Sequence, residues 1–196
     1  MTRRQVLALS ISAPFAALGS LRAAANQGLG QFAATGPPAC NASRTLTPAA
    51  DDRQFRPGSP SRTALAGPDS PGKKLTLSGA VIGIRCGAIK DAVVDIWQAD
   101  ASGVLDATGF RLRGHQNTDA DGRFHFDTIV PGPAAGHARH LGVKVQPPGK
   151  PALTTVLFFP DDPGNSKDHA VRPELVMKVT EDRGVKTATI ELVLDL

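Results

Sequence analysis

From Lys73 to the C-terminus the apolar residues fall in short runs, and the clearest of these alternate strictly with polar ones. Phe124 and Phe126 alternate with Arg123, His125 and Asp127. Leu141, Val143 and Val145 alternate with His140, Gly142 and Lys144. A period of two sends apolar side chains to one face of an extended strand and polar ones to the other. Leu75, Leu77, Val81 and Ile82 mark an earlier strand, and Val94, Ile96 and Trp97 another. Ala152 to Phe159 and Leu175 to Val179 are buried-type runs, and Ala188, Ile190, Leu192 and Leu194 close the chain. Turn signals such as Asp121-Gly122 and Pro131-Gly132 separate them. The pattern predicts an all-β fold, an antiparallel β-sandwich. Beyond the first 25 residues no segment has an amphipathic helical period, and there is no internal repeat.

Two segments of different character precede the sandwich. Thr2-Arg3-Arg4-Gln5-Val6-Leu7 is a twin-arginine pattern, and a modestly apolar run from Ala8 to Leu21 leads into Ala23-Ala24-Ala25. Residues 1–25 therefore read as a twin-arginine signal peptide, with a periplasmic or extracellular destination. The run is too short to span a bilayer and is interrupted by Ser10, Ser12 and Ser20, so no membrane attachment is expected after its removal. Residues 26–72, rich in Ala, Pro, Gly and Ser, read as an extended N-terminal arm, and 73–196 as the sandwich domain. Removing Arg3, Arg4 and Arg22 takes the formal net charge from +4 to +1. With no basic run or interleaved aromatics left, nucleic acid is not an expected partner.

Cys40 and Cys86 are the only cysteines. In an exported chain they are expected to form a disulfide, tying the arm to the first long strand. Closing that loop is worth roughly 4 kcal/mol in the chain-entropy model. The alternative is two unrelated thiols. Without a CxxC, or a Cys near the histidines, no cysteine metal site is expected.

An ordered set of motifs resembles the intradiol ring-cleavage dioxygenases, catechol- and protocatechuate-dioxygenase-like proteins, and in particular their exported members. Asp95-Ile96-Trp97-Gln98-Ala99-Asp100-Ala101-Ser102-Gly103 resembles their DIWxADxxG element. Arg113-Gly114 with Thr118-Asp119 and Gly122 resembles RGxxxTDxxG. Phe126-Asp127-Thr128-Ile129 with Pro131-Gly132 resembles FxTIxPG, and Leu153-Thr154-Thr155 with Phe159 and Asn165 resembles LTTQLYF…N. The resemblance covers most of the chain after residue 25 and implies the family's β-sandwich.

It also implies a site. In that family two tyrosinates and two histidines hold Fe(III), the phenolates being hard anionic donors that favour ferric iron. This chain has no tyrosine at all. Carried over by motif, the first tyrosine position holds Leu105 and the second Ala134. The H-x-H pair becomes His140-Leu141-Gly142, so His140 is the only retained ligand position. The arginine that steadies substrate charge falls at His137, the glutamine of TTQ at Val156, and the neighbouring tyrosine at Phe158. The resemblance thus implies a cleft lined by Leu105, Ala134, Gly142, Val156, Phe158 and Trp97, with three of four iron ligands substituted.

The expected function is an exported, dioxygenase-like protein without the family's Fe(III) chemistry, binding an aromatic or apolar small molecule in the vestigial cleft. No cofactor is expected. The alternatives are the family's iron, or Zn or Cu at a rebuilt histidine site. A second reading keeps catalysis on aromatic compounds, with His140, His137 and Arg113 or Arg139 as acid–base or electrostatic groups. A third makes the sandwich a structural or interaction module. If loop geometry follows the family, His137 and His140 need not converge. His115 is placed near a turn, His125 on the polar face of its strand, and His169 in a polar loop. Asp95 and Asp100 flank Trp97, with Asp95 expected on a strand face or supporting a turn, and Asp161-Asp162 is expected to be solvated. No oligomeric state follows from the residues.

Overall fold

The computed structural model describes residues 44–45, 54–85, 87–133 and 136–196. The expected signal peptide, the Cys40–Cys86 disulfide and Ala134 lie outside the described residues. Among the described residues eight strands form: β1 (Lys74–Gly83), β2 (Val93–Trp97), β3 (Arg113–Asn117), β4 (Arg123–Ile129), β5 (His140–Gln146), β6 (Leu153–Phe158), β7 (Lys178–Asp182) and β8 (Val185–Leu194). They make two four-stranded sheets, ordered β4-β1-β8-β7 and β3-β2-β5-β6. Among the described residues no helix is long and apolar enough to cross a membrane.

The period-two pattern explains the layering. Leu75, Leu77 and Val81 of β1, with Phe124 and Phe126 of β4, face Val94, Ile96, Leu141, Val143 and Val145 of the other sheet, all buried in one core. Burying each large apolar side chain stabilises the fold by roughly 1.5–3 kcal/mol. The polar partners face outward, His125 among them, as its strand position predicts.

The structure departs from the expected architecture in three places. All pairs are antiparallel except β1 with β8, which run parallel from Leu75↔Lys186 to Gly83↔Leu194. Alternation has no direction, so it sorts faces but not strand polarity. The run from Leu175 to Val179 is not one strand: Pro173–Leu175 is a 3-10 turn, and β7 starts at Lys178. Leu175 and Met177 are nevertheless buried, with the Met177 N–H donating to the Phe158 carbonyl at 2.9 Å. Finally, β3 carries no apolar alternation because its core contact comes from elsewhere. Gly114 pairs with Ile96, and Leu65 of the arm packs where a side chain at 114 would stand.

The described part of the arm seals two sheet edges. Ser61 bridges to His115 on β3, and Ala64 to Asp127 on β4. Its arginines reach backbone carbonyls beside the site: Arg56 donates to Ala107 and Thr108, and Arg62 to Phe110 and Arg113. Arg113 donates in return to the Gln54 carbonyl at 2.8 Å.

Candidate functional site

Side chains at alternate positions of β2 and β5 also point away from the core, and there they build a cleft. Trp97 ends β2, directly opposite Gly142 of β5. That face carries a cavity of about 220 Å³ whose lining includes Trp97, Gln98, Leu105, His137, His140 and Gly142.

The wall carrying Leu105 is held by a turn after β2. Asp100 accepts from Ser102 Oγ at 2.6 Å, the Arg111 guanidinium at 2.8 Å, the Val104 N–H at 3.0 Å and the Ser102 N–H at 2.9 Å. The Ser102 hydroxyl, then Arg111 and the amides, hold its carboxyl well below the usual carboxylate range. Gly103 takes φ +87° and approaches the Pro133 carbonyl so closely that a Cβ has no room. The Gly132 N–H donates to the Asp100 carbonyl at 2.8 Å, joining this turn to the segment after β4. Leu105 then forms a short bridge with Ala99.

Gln98, which sequence reasoning did not single out, clamps the floor. It is buried, its amide donates to the carbonyls of Ile129 (2.9 Å) and Ala99 (3.1 Å), and its oxygen accepts from Thr128 Oγ1 at 2.8 Å. Being saturated, it positions the ends of β2 and β4 and leaves ligand recognition to others. The one signal for it was its place beside Trp97, where alternation turns it between the sheets.

The wall formed by Trp97 and Gly142 decides the site's chemistry. A Cβ built on Gly142 would stand 2.6 Å from Trp97 Cζ2 and closer still to Cε2 and Nε1, all inside the 3.0 Å that real Cβ atoms keep. The indole therefore occupies the volume of any side chain at 142. Trp97 is 3% exposed and meets Phe55 of the arm edge-on, with ring centroids 5.6 Å apart. Lys144 Nζ lies 3.9 Å from the Phe55 ring centroid, a cation–π contact.

His137 and His140 lie side by side, an approach that the family's loop geometry did not require. Both line the cavity, and their ring centroids are 6.2 Å apart. His140 Nδ1 lies 2.8 Å from the Ala138 carbonyl, and Phe158 backs the ring at 5.9 Å. His137 Nδ1 lies 3.3 Å from Asp168 Oδ2. Asp168 comes from the loop after β6, a partner that no local pattern announces. Burial pushes its carboxyl up, but the amides of Ala170 and Ala138 and the His137 ring together bring it below the usual range.

The other singled-out residues lie apart. Phe158 and Val156 belong to a small packing cluster with Ala138 and Leu175 and are absent from the cavity wall, because β6 is the strand beyond β5. His115 sits within β3 opposite Asp95, with Ser59 Oγ donating to Asp95 at 2.6 Å and lying 3.0 Å from His115 Nδ1. Burial pushes the Asp95 carboxyl up despite those neighbours. Asp162, expected in solvent, is half-buried: it caps a 3-10 turn through the Gly164 N–H at 2.7 Å and pairs with Arg139 Nε at 2.5 Å. Arg113 is 3% exposed and donates only to carbonyls.

Residues 54–196 match the profile of a family described as "Dioxygenase". Over 144 residues the chain is 31% identical to catechol 1,2-dioxygenase 1 of Acinetobacter lwoffii, covering 60% of this chain and 46% of that enzyme. It thus spans about half the length of that relative. Among solved structures it is similar to the dioxygenase domain of a dioxygenase–carbohydrate-binding protein fusion from the cellulolytic bacterium Streptomyces sp. SirexAA-E. That similarity has 44% identity and a TM-score of 0.76, covering 79% of this chain and 99% of that one. The 3-chlorocatechol 1,2-dioxygenase of Rhodococcus opacus 1CP is 27% identical with a TM-score of 0.65, covering 71% of this chain and 68% of that one.

Proposed function

Because the chain belongs to the intradiol ring-cleavage dioxygenase family, we propose that it keeps the family's cleft as a binding site for a single-ring aromatic or apolar molecule, without Fe(III)-dependent ring cleavage. The observation that carries this reading is the Trp97 indole lying where a second histidine would extend from position 142.

The residues present do not fit the family's ferric ion. Ferric iron favours hard anionic donors, and a single neutral imidazole is a poor substitute. Leu105 and Ala134 bring no donor atom, Gly142 has no side chain, and the indole closes the space beside it. His140 alone keeps a ligand position.

The same changes suit a hydrocarbon ring. An apolar cavity of about 150 Å³ takes benzene, and sites for drug-sized ligands begin near 300 Å³. A cavity of about 220 Å³ therefore suits one ring. Trp97 and Leu105 offer it apolar contact, while the imidazoles of His137 and His140 on the cavity wall offer a ligand hydroxyl a polar partner. The open cavity counts against a purely structural module. The His137–Asp168 contact favours a second reading, acid–base catalysis on an aromatic compound, with the carboxylate steadying a protonated imidazole. The twin-arginine pattern at residues 2–7 supports an exported location.

Trp97 is the only tryptophan in a chain without tyrosine, so its emission reports this cleft alone. Titration with phenol or toluene is expected to change that emission saturably, and Leu105→Phe, which fills the cavity, to abolish the change. Emission insensitive to both ligands would overturn the binding reading.

A further inference from the structure

We propose that His137 and His140 together bind a divalent transition cation at the cleft wall, copper more tightly than zinc. The inference stands whether or not an aromatic molecule occupies the cleft.

Both imidazoles are prepared in the same way. A carbonyl oxygen only accepts, so His140 Nδ1, 2.8 Å from the Ala138 carbonyl, carries the proton and the lone pair of the neutral ring sits on Nε2. His137 Nδ1 faces the Asp168 carboxylate at 3.3 Å, which imposes the same tautomer. Metal-ligating histidines almost always donate their other N–H to a carboxylate or a backbone carbonyl, which fixes the ring and raises its basicity. One cleft wall shows both arrangements side by side. Asp168 is itself anchored: its side chain is 6% exposed and accepts from the N–H groups of Ala138 at 3.0 Å and Ala170 at 2.9 Å.

The spacing allows one ion to be shared. A metal–nitrogen bond of about 2.0–2.1 Å puts each ring centre about 3.2 Å from the ion, so two ligating rings lie about 5 Å apart at a tetrahedral angle and at most about 6.4 Å when opposed. The observed 6.2 Å falls at the wide end of that interval. Closing to a tetrahedral angle needs a ring shift of about 1 Å, which His137, 62% exposed, is free to make. The cation between them in sequence does not oppose the charge, because Arg139 is paired with Asp162 at 2.5 Å.

The donor type selects the metal. Two neutral imidazoles without phenolate or thiolate suit copper and zinc, with copper higher in the affinity order. Among the described residues no group of three or more His, Cys, Asp or Glu could hold a metal. Water would therefore complete the coordination, and affinity falls well short of a four-ligand structural site. The other histidines do not contribute: His115 is engaged by Ser59 on β3, and His125 and His169 are exposed elsewhere.

The test is a titration of metal-free full-length protein with Cu²⁺ alone and Zn²⁺ alone. It is read by Trp97 emission, which Cu²⁺ quenches, and by dialysis with elemental analysis. One Cu²⁺ per chain is expected, with Zn²⁺ weaker. His140→Ala and His137→Ala should each weaken Cu²⁺ binding at least 10-fold, and Asp168→Asn, which keeps one oxygen for the His137 ring and the Ala138 N–H but loses the charge and the acceptor for the Ala170 N–H, by about 10- to 100-fold. His125→Ala and His169→Ala should leave it unchanged, and each variant's thermal transition checks its folding. Binding that survives both cleft substitutions, binding lost with His125 or His169, or no stoichiometric binding would each overturn the proposal. Loss of phenol or toluene binding alone would leave it standing.

Discussion

Replacing Gly142 with alanine adds one methyl group to β5, and in most strands that change is mildly favourable, by about 0.5–1 kcal/mol. Here the new Cβ meets the indole of Trp97 at 2.6 Å from Cζ2, with Cε2 and Nε1 nearer still. Ordinary contact begins at 3.4 Å, so the indole must retreat into Phe55 and the arm, or β5 must shift. Forcing an extra methyl group into a packed site costs roughly 1–3 kcal/mol, and so close an approach to the indole belongs to the upper part of that range, about 2–3 kcal/mol, so a net loss of about 1–2.5 kcal/mol remains after the strand preference. For a domain of this size that loss lowers Tm by about 2–10 °C. Thermal unfolding followed by circular dichroism, with Trp97 emission as a local probe, measures it. In a Trp97→Leu background the methyl group has room, so Gly142→Ala should cost little there. A pair in contact typically couples by about 0.5–3 kcal/mol. An unchanged Tm for the single variant, or the same loss in both backgrounds, would refute the claim that the indole fills the side-chain space at 142.

Two further substitutions test the supports of the cleft. Asp162→Ala removes both the cap on Gly164 N–H and the partner of half-buried Arg139, and should cost about 1–3 kcal/mol by urea denaturation. Asp95→Asn should stabilise the protein at neutral pH. Burial raises the Asp95 carboxyl despite Ser59, His115, Arg113 and Lys144, so its favourable contribution exists below the ordinary carboxylate value and is lost as pH rises through the folded-state value. The variant's advantage in urea midpoint should therefore shrink as pH falls through the carboxylate range. A constant advantage at all pH values would rule out the charge as its source.

Six of the eight described strands were announced by apolar spacing, because each supplies its own core face, while β7 was caught only at Lys178 and Val179 because it is largely exposed. β3 was not, since Leu65 of the arm fills the core beside Gly114, a contact between residues far apart in sequence. The parallel β1–β8 pair was equally illegible, for alternation is blind to direction. At the site the substituted positions could be read as missing ligands, but not what replaced them. Only the cross-strand register of Trp97 and Gly142 turns a lost histidine into a space filled by an aromatic ring. The approach of His137 to His140 depends on Asp168, about thirty residues away in sequence. Phe158 and Val156 shared the expected motif but stand one strand too far from the cavity.

The most direct measurement of the central claim is oxygen uptake with catechol after the full-length protein has been incubated with excess Fe(III) and desalted, with iron counted per chain. The account predicts iron well below one per chain, no visible phenolate-to-iron absorption, and uptake equal to a protein-free control. One iron retained per chain, with uptake that saturates in catechol and is lost in His140→Ala, would contradict it.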